Sequence, residues 1–330
     1  MKKIISLTMS FLLLVSLAGC GGGSSAEQNA GSQSGSSSEA SSANSGSSDS
    51  SAASVSSTSG SGETVPVATV SITDTQMDYI VFGGGEKTYV ILPGLSVHSV
   101  LGSAEAIAAA YASFTDEYTV YLFDRPADLQ EGCSIRDLAD ATAEAMEALE
   151  LENADVYGVS QGGMIALYLA IDHPELVHQM ILASTLARTN DNFRQVGEKW
   201  LQLAQAGEET SLLESFVDAV YSPSTLESYR ETLLSANINI SEEEYQRFII
   251  QVEACLSFDC YEELSAIQCP VLVLGSEGDK VTTADGAREL AEALDCQLYL
   301  YDDSYGHAVY DEAPDFLERC LDFLLENGGE

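Results

Sequence analysis

The stretch that decides the fold is Ala154-Asp-Val-Tyr-Gly-Val-Ser-Gln-Gly-Gly-Met-Ile-Ala-Leu-Tyr-Leu-Ala170. Val156 to Val159 is a short apolar run that reads as a buried strand, and from Gln161 the chain reads as an apolar helix. Between them stands Gly158-Val159-Ser160-Gln161-Gly162, the pattern Gly-x-Ser-x-Gly at a strand-to-helix junction. The glycines have a steric reason. A serine on so sharp a turn needs neighbours, two positions away, with almost no side chain. Gly163 adds a third small residue where helix and strand come closest. Such a turn lifts the Ser160 hydroxyl clear of the sheet and points a helix N-terminus at it. The alternative is a glycine turn with a bystander serine.

A serine hydroxyl is a poor nucleophile at neutral pH. It needs a general base within hydrogen-bond reach, and that base needs an orienting carboxylate. The chain has four histidines. His98 precedes the elbow, while His173 and His178 follow the elbow helix and fall at the opposite edge of the sheet. His307, in Ser304-Tyr-Gly-His-Ala308 after the last strand, is the one placed to return to the serine. A satisfied surface histidine is its bland reading. For the acid, Asp279 in Gly275-Ser-Glu-Gly-Asp-Lys-Val281 follows a strand, with Asp302, Asp303 and Glu277 as weaker candidates. The order Ser160, Asp279, His307 is that of one hydrolase class.

Strands and helices alternate on both sides of the elbow. Val67 to Asp74 looks like an edge strand. Met77 to Phe82 and Lys87 to Leu92, joined by Gly83-Gly-Gly-Glu86, give a hairpin signal. Ser99 to Phe114 is alanine-rich with helical spacing, and Tyr118 to Phe123 is a strand. Ser134 reads as the N-cap of a helix whose buried face runs Ile135, Leu138, Thr142, Ala145, Met146, Leu149. Gln179 to Ser184 is a strand. After Pro270 the alternation gives strand 271–275, helix 283–294, strand 297–301 and a last helix from about 313 to 326. This is an α/β fold, with a mostly parallel sheet covered on both faces.

From about 186 to 267 no strand is expected. Four amphipathic helical pieces, at 193–206, 211–220, 223–236 and 242–257, form a helical cap over the C-terminal edge of the sheet. Phe193, Trp200, Leu203, Phe216, Tyr221, Tyr229 and Phe248 could line a pocket there, although for any one of them the preferred role is to hold the cap helices together.

The chain from about residue 65 onward resembles the α/β-hydrolase family. The matching parts are the elbow, the Gly275-x-x-x-Asp279 turn, the Gly306-His307 loop and the helical insert before the acid. The resemblance implies a mainly parallel eight-stranded sheet, hydrolysis of ester, amide, thioester or related bonds, and no cofactor. It also implies an oxyanion hole made by the backbone amides of Leu95 and Gln161. Two departures stand out. Pro93-Gly94 replaces the family's usual His-Gly before the first donor. Asp124-Arg-Pro-Ala-Asp128 replaces a Gly-rich Arg-Gly-x-Gly-x-Ser stretch. Arg125 could pair with a neighbouring acid or face a substrate carboxylate, and the structural role is preferred.

The N-terminus reads differently. Lys2 and Lys3 precede an apolar stretch, Ile4 to Ala18, too short for a spanning helix. It ends in Leu17-Ala-Gly-Cys20, which resembles the lipobox of bacterial lipoproteins and implies a diacylglyceryl group on Cys20. An ordinary cleaved signal peptide is the alternative. Residues 21 to about 62 are Gly, Ser and Ala with little to bury, so they read as a disordered tether. Such a tether would span roughly 35–40 Å. The organisation expected is therefore signal peptide 1–20, tether 21–62 and hydrolase domain 63–330, carried on the outer face of a membrane.

Lys2 and Lys3 are two of 13 basic residues. The remaining 11 stand against 52 acidic ones. So acidic a chain excludes nucleic acid as a partner and disfavours anionic lipid headgroups. The expected partners are a small acyl substrate and a bilayer reached through Cys20. Cys133, Cys255, Cys260, Cys269, Cys296 and Cys320 fit no zinc spacing. Cys269 and Cys296 could meet at one sheet edge, but free buried thiols are the preferred reading. The function that follows is a carboxylesterase-like serine hydrolase. A peptidase of the proline iminopeptidase type or an acyltransferase would use the same parts. An inactive or solute-binding lipoprotein is the competing class.

Overall fold

In a computed structural model, the structure describes residues 64–327. The signal peptide, Cys20 and the tether lie outside them. Eight strands form one sheet in the order β1-β2-β4-β3-β5-β6-β7-β8. These are β1 (Val67–Ile72), β2 (Thr75–Gly83), β3 (Lys87–Leu92), β4 (Tyr118–Pro126), β5 (Ala154–Val159), β6 (Val177–Ala183), β7 (Val271–Ser276) and β8 (Gln297–Tyr301). β2 is antiparallel to β1 and β4, and every other pairing is parallel.

The sheet is interior because its middle strands are apolar on both faces. Along β3, Tyr89 and Ile91 enter one core cluster while Val90 and Leu92 enter the other. Along β5, Tyr157 and Val156 divide in the same way. A strand buried on both faces needs a neighbour on each side and helices above and below. Those helices are α1 (Ala104–Ala110), α2 (Ile135–Ala148), α3 (Gln161–Asp172), α8 (Thr283–Leu294), α9 (Val309–Glu312) and α10 (Phe316–Asn327). Helix α2 starts as its sequence implies. Ser134 and Asp137 cap each other's backbone amides in a capping box.

The hairpin expected between Met77–Phe82 and Lys87–Leu92 is not formed. β4 lies between them instead, antiparallel to β2 and parallel to β3, and β5 encloses β3 on its other side. The glycine run carries the chain past the start of β4. Gly84 N–H donates to Thr115 O (3.3 Å) and Lys87 N–H to Glu117 O (3.1 Å). A Cβ on Gly85 would lie 1.9 Å from the Glu117 carbonyl carbon. The glycines thus serve a close crossing. The actual hairpin joins β1 and β2 through Thr73-Asp74, with Asp74 at φ 63°.

The last helical segment also divides. Pro314 biases Ala313 to extended backbone (φ −87°, ψ 121°), so α9 stops before α10 begins. Between β6 and β7 stand α4 (Asp191–Gln205), α5 (Glu209–Val220), α6 (Pro223–Ser235) and α7 (Glu242–Leu256). Among the described residues, no helix is long and apolar enough to cross a membrane.

Candidate active site

The C-terminal ends of β3, β5, β6, β7 and β8 bring the site together. Ser160 follows β5 at φ 53° and ψ −117°, outside the comfortable regions for a residue with a side chain. Close packing holds it there. A Cβ on Gly162 would lie 1.9 Å from Leu92 O, and one on Gly158 would lie 2.5 Å from Gly162 O. No other residue type allows the helix, the elbow and β3 to approach so closely.

Ser160 Oγ lies 3.1 Å from His307 Nε2, and His307 Nδ1 lies 2.9 Å from Asp279 Oδ2. All three side chains are buried. Asp279 also accepts from Val281 N–H (2.7 Å), Thr282 N–H (3.0 Å) and Thr282 Oγ1 (2.7 Å). Burial pushes its carboxyl up, but His307 and these donors outweigh burial and hold it below the ordinary carboxylate range. An ionised Asp279 accepts the Nδ1 proton. Nε2 is then left as an acceptor facing the serine hydroxyl.

The weaker acid candidates are occupied elsewhere. Asp302 caps the Ser304 amide, and Glu277 pairs with Arg288. His98 meets Glu244 (2.6 Å) and Asn237 O (2.9 Å) on the cap. His173 meets Asp140, and His178 meets Asp155.

Two residues that no sequence motif marks hold the backbone of His307 and Ser160. At the end of β6, Ser184 Oγ donates to His307 O (2.7 Å) and Thr185 Oγ1 donates to Ser160 O (2.8 Å). Their signal was only that they follow a buried strand. The His307 loop is also fastened to the cap, where Ala308 N–H donates to Val220 O (2.9 Å).

Leu95, one of the two expected amide donors, lines the cavity beside Ser160 and His307. The other, Gln161, is the first residue of α3, so its N–H has no intrahelical partner. Arg125 ties the two segments together. Its Nε donates to Gln161 Oε1 (2.9 Å) and its NH2 group donates to Pro93 O. Arg125 is therefore structural and does not face the cavity. Burial pushes its guanidinium down to about 10 while the adjacent Asp124 opposes that shift. From the cap, Arg247 reaches Asp124 (2.8 Å) and Arg125 O (3.1 Å).

The cavity over Ser160 holds about 540 Å³ of empty space including its mouth. Of the seven cap residues weighed from sequence, Phe193, Trp200 and Phe216 line it. Leu203, Tyr221, Tyr229 and Phe248 do not. Trp200 and Phe216 pack at 4.7 Å between ring centroids, and Phe216 meets Phe248 at 6.2 Å. Cys255 is a second sulfur or oxygen nucleophile on this wall. Burial pushes its thiol up to about 12, so it stays protonated.

The six cysteines among the described residues are free. Cys255, Cys260 and Cys320 are buried, whereas Cys133, Cys269 and Cys296 are only partly so. Among the described residues no group of three or more His, Cys, Asp or Glu side chains could hold a metal ion.

Several known proteins are similar to this chain. The pyrrolizixenacetamide deacetylase of Xenorhabdus hominickii is 25% identical over 267 residues, covering 78% of this chain and 97% of that protein. The 3-oxoadipate enol-lactonase 2 of Acinetobacter baylyi is 25% identical over 238 residues, covering 68% and 84%. Among solved structures, MGS-M2, an alpha/beta hydrolase from a deep-sea metagenome, superposes with a TM-score of 0.70 at 21% identity, over 80% of this chain and 98% of that one. The enol-lactonase of Burkholderia xenovorans LB400 gives 0.68 at 19% identity, over 78% and 100%. These last two likenesses concern the fold alone. Residues 90–314 match the family model described as alpha/beta hydrolase fold. The chain belongs to the α/β-hydrolase fold family.

Proposed function

We propose that this protein is a serine hydrolase that cleaves a carboxylic ester or related acyl bond through an acyl-enzyme. The observation that carries this reading is the unbroken chain Ser160 Oγ to His307 Nε2 (3.1 Å) and His307 Nδ1 to Asp279 Oδ2 (2.9 Å), buried in an apolar cavity. Ser160 attacks the carbonyl carbon and His307 takes its proton. Asp279 holds the imidazole and offsets its positive charge. The amides of Leu95 and Gln161 stabilise the tetrahedral oxyanion. His307 then protonates the leaving group, and water repeats the sequence on the acyl-enzyme. An acyl acceptor in place of water would make the same site a transferase.

The cavity walls favour an ester over a peptide with a free N-terminus. Recognition of a terminal ammonium calls for a carboxylate, and none of the described cavity-lining residues is Asp or Glu. The deacetylase relative keeps simple amides in view as a second substrate class. The test is fluorophosphonate labelling followed by turnover of matched p-nitrophenyl ester, thioester and anilide substrates. Labelling with the ester turned over fastest supports the reading. A folded protein that neither labels nor turns over any acyl substrate would sink it in favour of a binding role.

We further propose that Cys20 carries a lipid anchor and that residues 21–62 hold the enzyme off the outer membrane face. Leu17-Ala-Gly-Cys20 after an apolar stretch supports this. Two acyl chains on one residue would anchor stably, where one chain binds only marginally. Cys20→Ser is expected to move the protein from the membrane fraction to the soluble one or to leave it unprocessed. A variant still lipid-modified and sedimenting with membranes would refute the anchor.

A further inference from the structure

Beside the catalytic cavity lies a second hollow, with about 390 Å³ of empty space including its mouth. It sits on the other side of the elbow, between the ends of β3, β4 and β5 and the helices α1 and α10. Its walls are mainly carbon, with Ile91, Ile107, Leu122, Val159 and Leu317 among them. Among the described residues only Tyr310 lines both cavities. Tyr310 stands on α9, three positions after His307, and its ring packs against Phe316 at 6.5 Å between centroids. The backbone on either side of this partition is that of the site itself. Pro93 and Val159 face the second cavity, while their neighbours Gly94 and Ser160 face the first.

We propose that the Tyr310 ring is the partition that sets acyl-chain length. It closes the catalytic cavity at the size of a short acyl group and separates it from an apolar hollow that, joined to the space of the ring itself, would take the tail of a longer one. This rests on the reading of the site as an acyl hydrolase. The other walls are poor candidates for the same role. Trp200, Phe216 and Phe248 pack on one another, so removing one ring exposes the next ring rather than open space. Behind Tyr310 lies the second hollow, so losing the ring would join its space to both. The Asp311 carboxylate sits at one point of the second cavity, so its occupant is an alkyl or aryl tail and not an anionic one.

A chain that enters the second cavity gains transfer free energy with each buried methylene, equivalent to about fourfold in kcat/KM. The experiment compares p-nitrophenyl acetate, butyrate, octanoate and decanoate as substrates of the full-length protein and of Tyr310→Ala and Tyr310→Phe. The wild type is expected to favour acetate and butyrate. Tyr310→Ala is expected to raise the octanoate-to-butyrate ratio of kcat/KM by about tenfold or more. Tyr310→Phe keeps the ring and should keep the wild-type ratio. If thermal melting shows that Tyr310→Ala is not folded, Tyr310→Leu gives the same comparison with less volume lost. A folded variant whose ratio stays within about twofold of the wild type overturns the inference. So does a wild type that already takes octanoate as well as butyrate. In both of those cases ester turnover stands and the hydrolase reading is untouched, whereas a wild type inert toward every ester removes both.

Discussion

Ser160→Ala is expected to lower kcat on the order of 10⁶-fold while the fold stays intact. The size of the loss follows from the site. The other hydroxyl and thiol groups on the described cavity wall are Ser96, Tyr310 and Cys255. Ser96 Oγ donates to His98 O, and burial holds the Tyr310 phenol and the Cys255 thiol protonated, the thiol pushed up to about 12 with the Gln161 amide rather than a base as its partner. Nothing therefore takes over the attack. The fold should survive because the hydroxyl's hydrogen bond is to His307, while the elbow itself is held by backbone contacts. Ser160 N–H donates to Ala183 O (2.9 Å) and Ser160 O accepts from Thr185. Alanine meets the same backbone strain at φ 53° that serine meets, so the melting temperature should change little. Kinetics on the fastest ester, with a thermal melt of both proteins, checks both halves. Turnover above about one per cent of wild type in a folded variant would remove Ser160 as the nucleophile.

The elbow was legible because steric need and chemistry coincide there. Gly158 and Gly162 are required by contacts under 3 Å, and the serine between them has no structural reason to be a serine. Asp279 and His307 were legible because each follows a strand that periodicity identifies. The pairing of β2 and β3 was misread for an equally physical reason. A Gly-rich link between two apolar runs signals a hairpin locally, but the burial of Val90 and Leu92 on one face and Tyr89 and Ile91 on the other is a tertiary fact. Local pattern cannot see which strand will be enclosed.

The support around the triad was hidden in the same way. Ser184 and Thr185 look like ordinary polar residues after a strand, and their bonds to His307 O and Ser160 O span 123 and 25 residues. Arg125 sits where the family pattern is lost, so nothing in the sequence could say that it ties Gln161 to Pro93. Tyr310 is a residue of a short helix with no motif around it. Its position between two cavities exists only once α9 has folded against the elbow. The residues proposed to do the chemistry announce themselves by type and spacing, whereas those that place them or limit the substrate do so by contact.

Asp279→Asn is expected to lower kcat on the order of 10⁴-fold, with a smaller and pH-dependent loss of stability. The kinetic argument concerns the imidazole tautomer. Asp279 Oδ2 accepts from His307 Nδ1 at 2.9 Å, which leaves Nε2 to receive the serine proton. An asparagine that turns its amide toward Nδ1 donates instead, puts the imidazole proton on Nε2 and removes the base. Turning its carbonyl there restores the tautomer but points the NH₂ at Val281 N–H and Thr282 N–H, which also donate. Only the second arrangement leaves a donor facing a donor, at a cost of about 1–3 kcal/mol, so the first, which removes the base, is favoured. The stability argument concerns charge. The folded protein holds the Asp279 carboxyl below its ordinary range, so it favours the ionised form relative to the unfolded chain. That contribution is complete above about pH 4, the ordinary carboxylate value, and fades as pH falls through the lowered one. Asparagine does not titrate there. The melting-temperature gap between wild type and Asp279→Asn should therefore be a few degrees at pH 7 and close as the pH drops below about 4. Parallel melts from pH 7 to pH 3, with kcat measured at pH 7, decide it. Activity within tenfold of wild type would remove Asp279 as the orienting acid. A gap that widens toward low pH would mean that the fold does not favour the carboxylate at all.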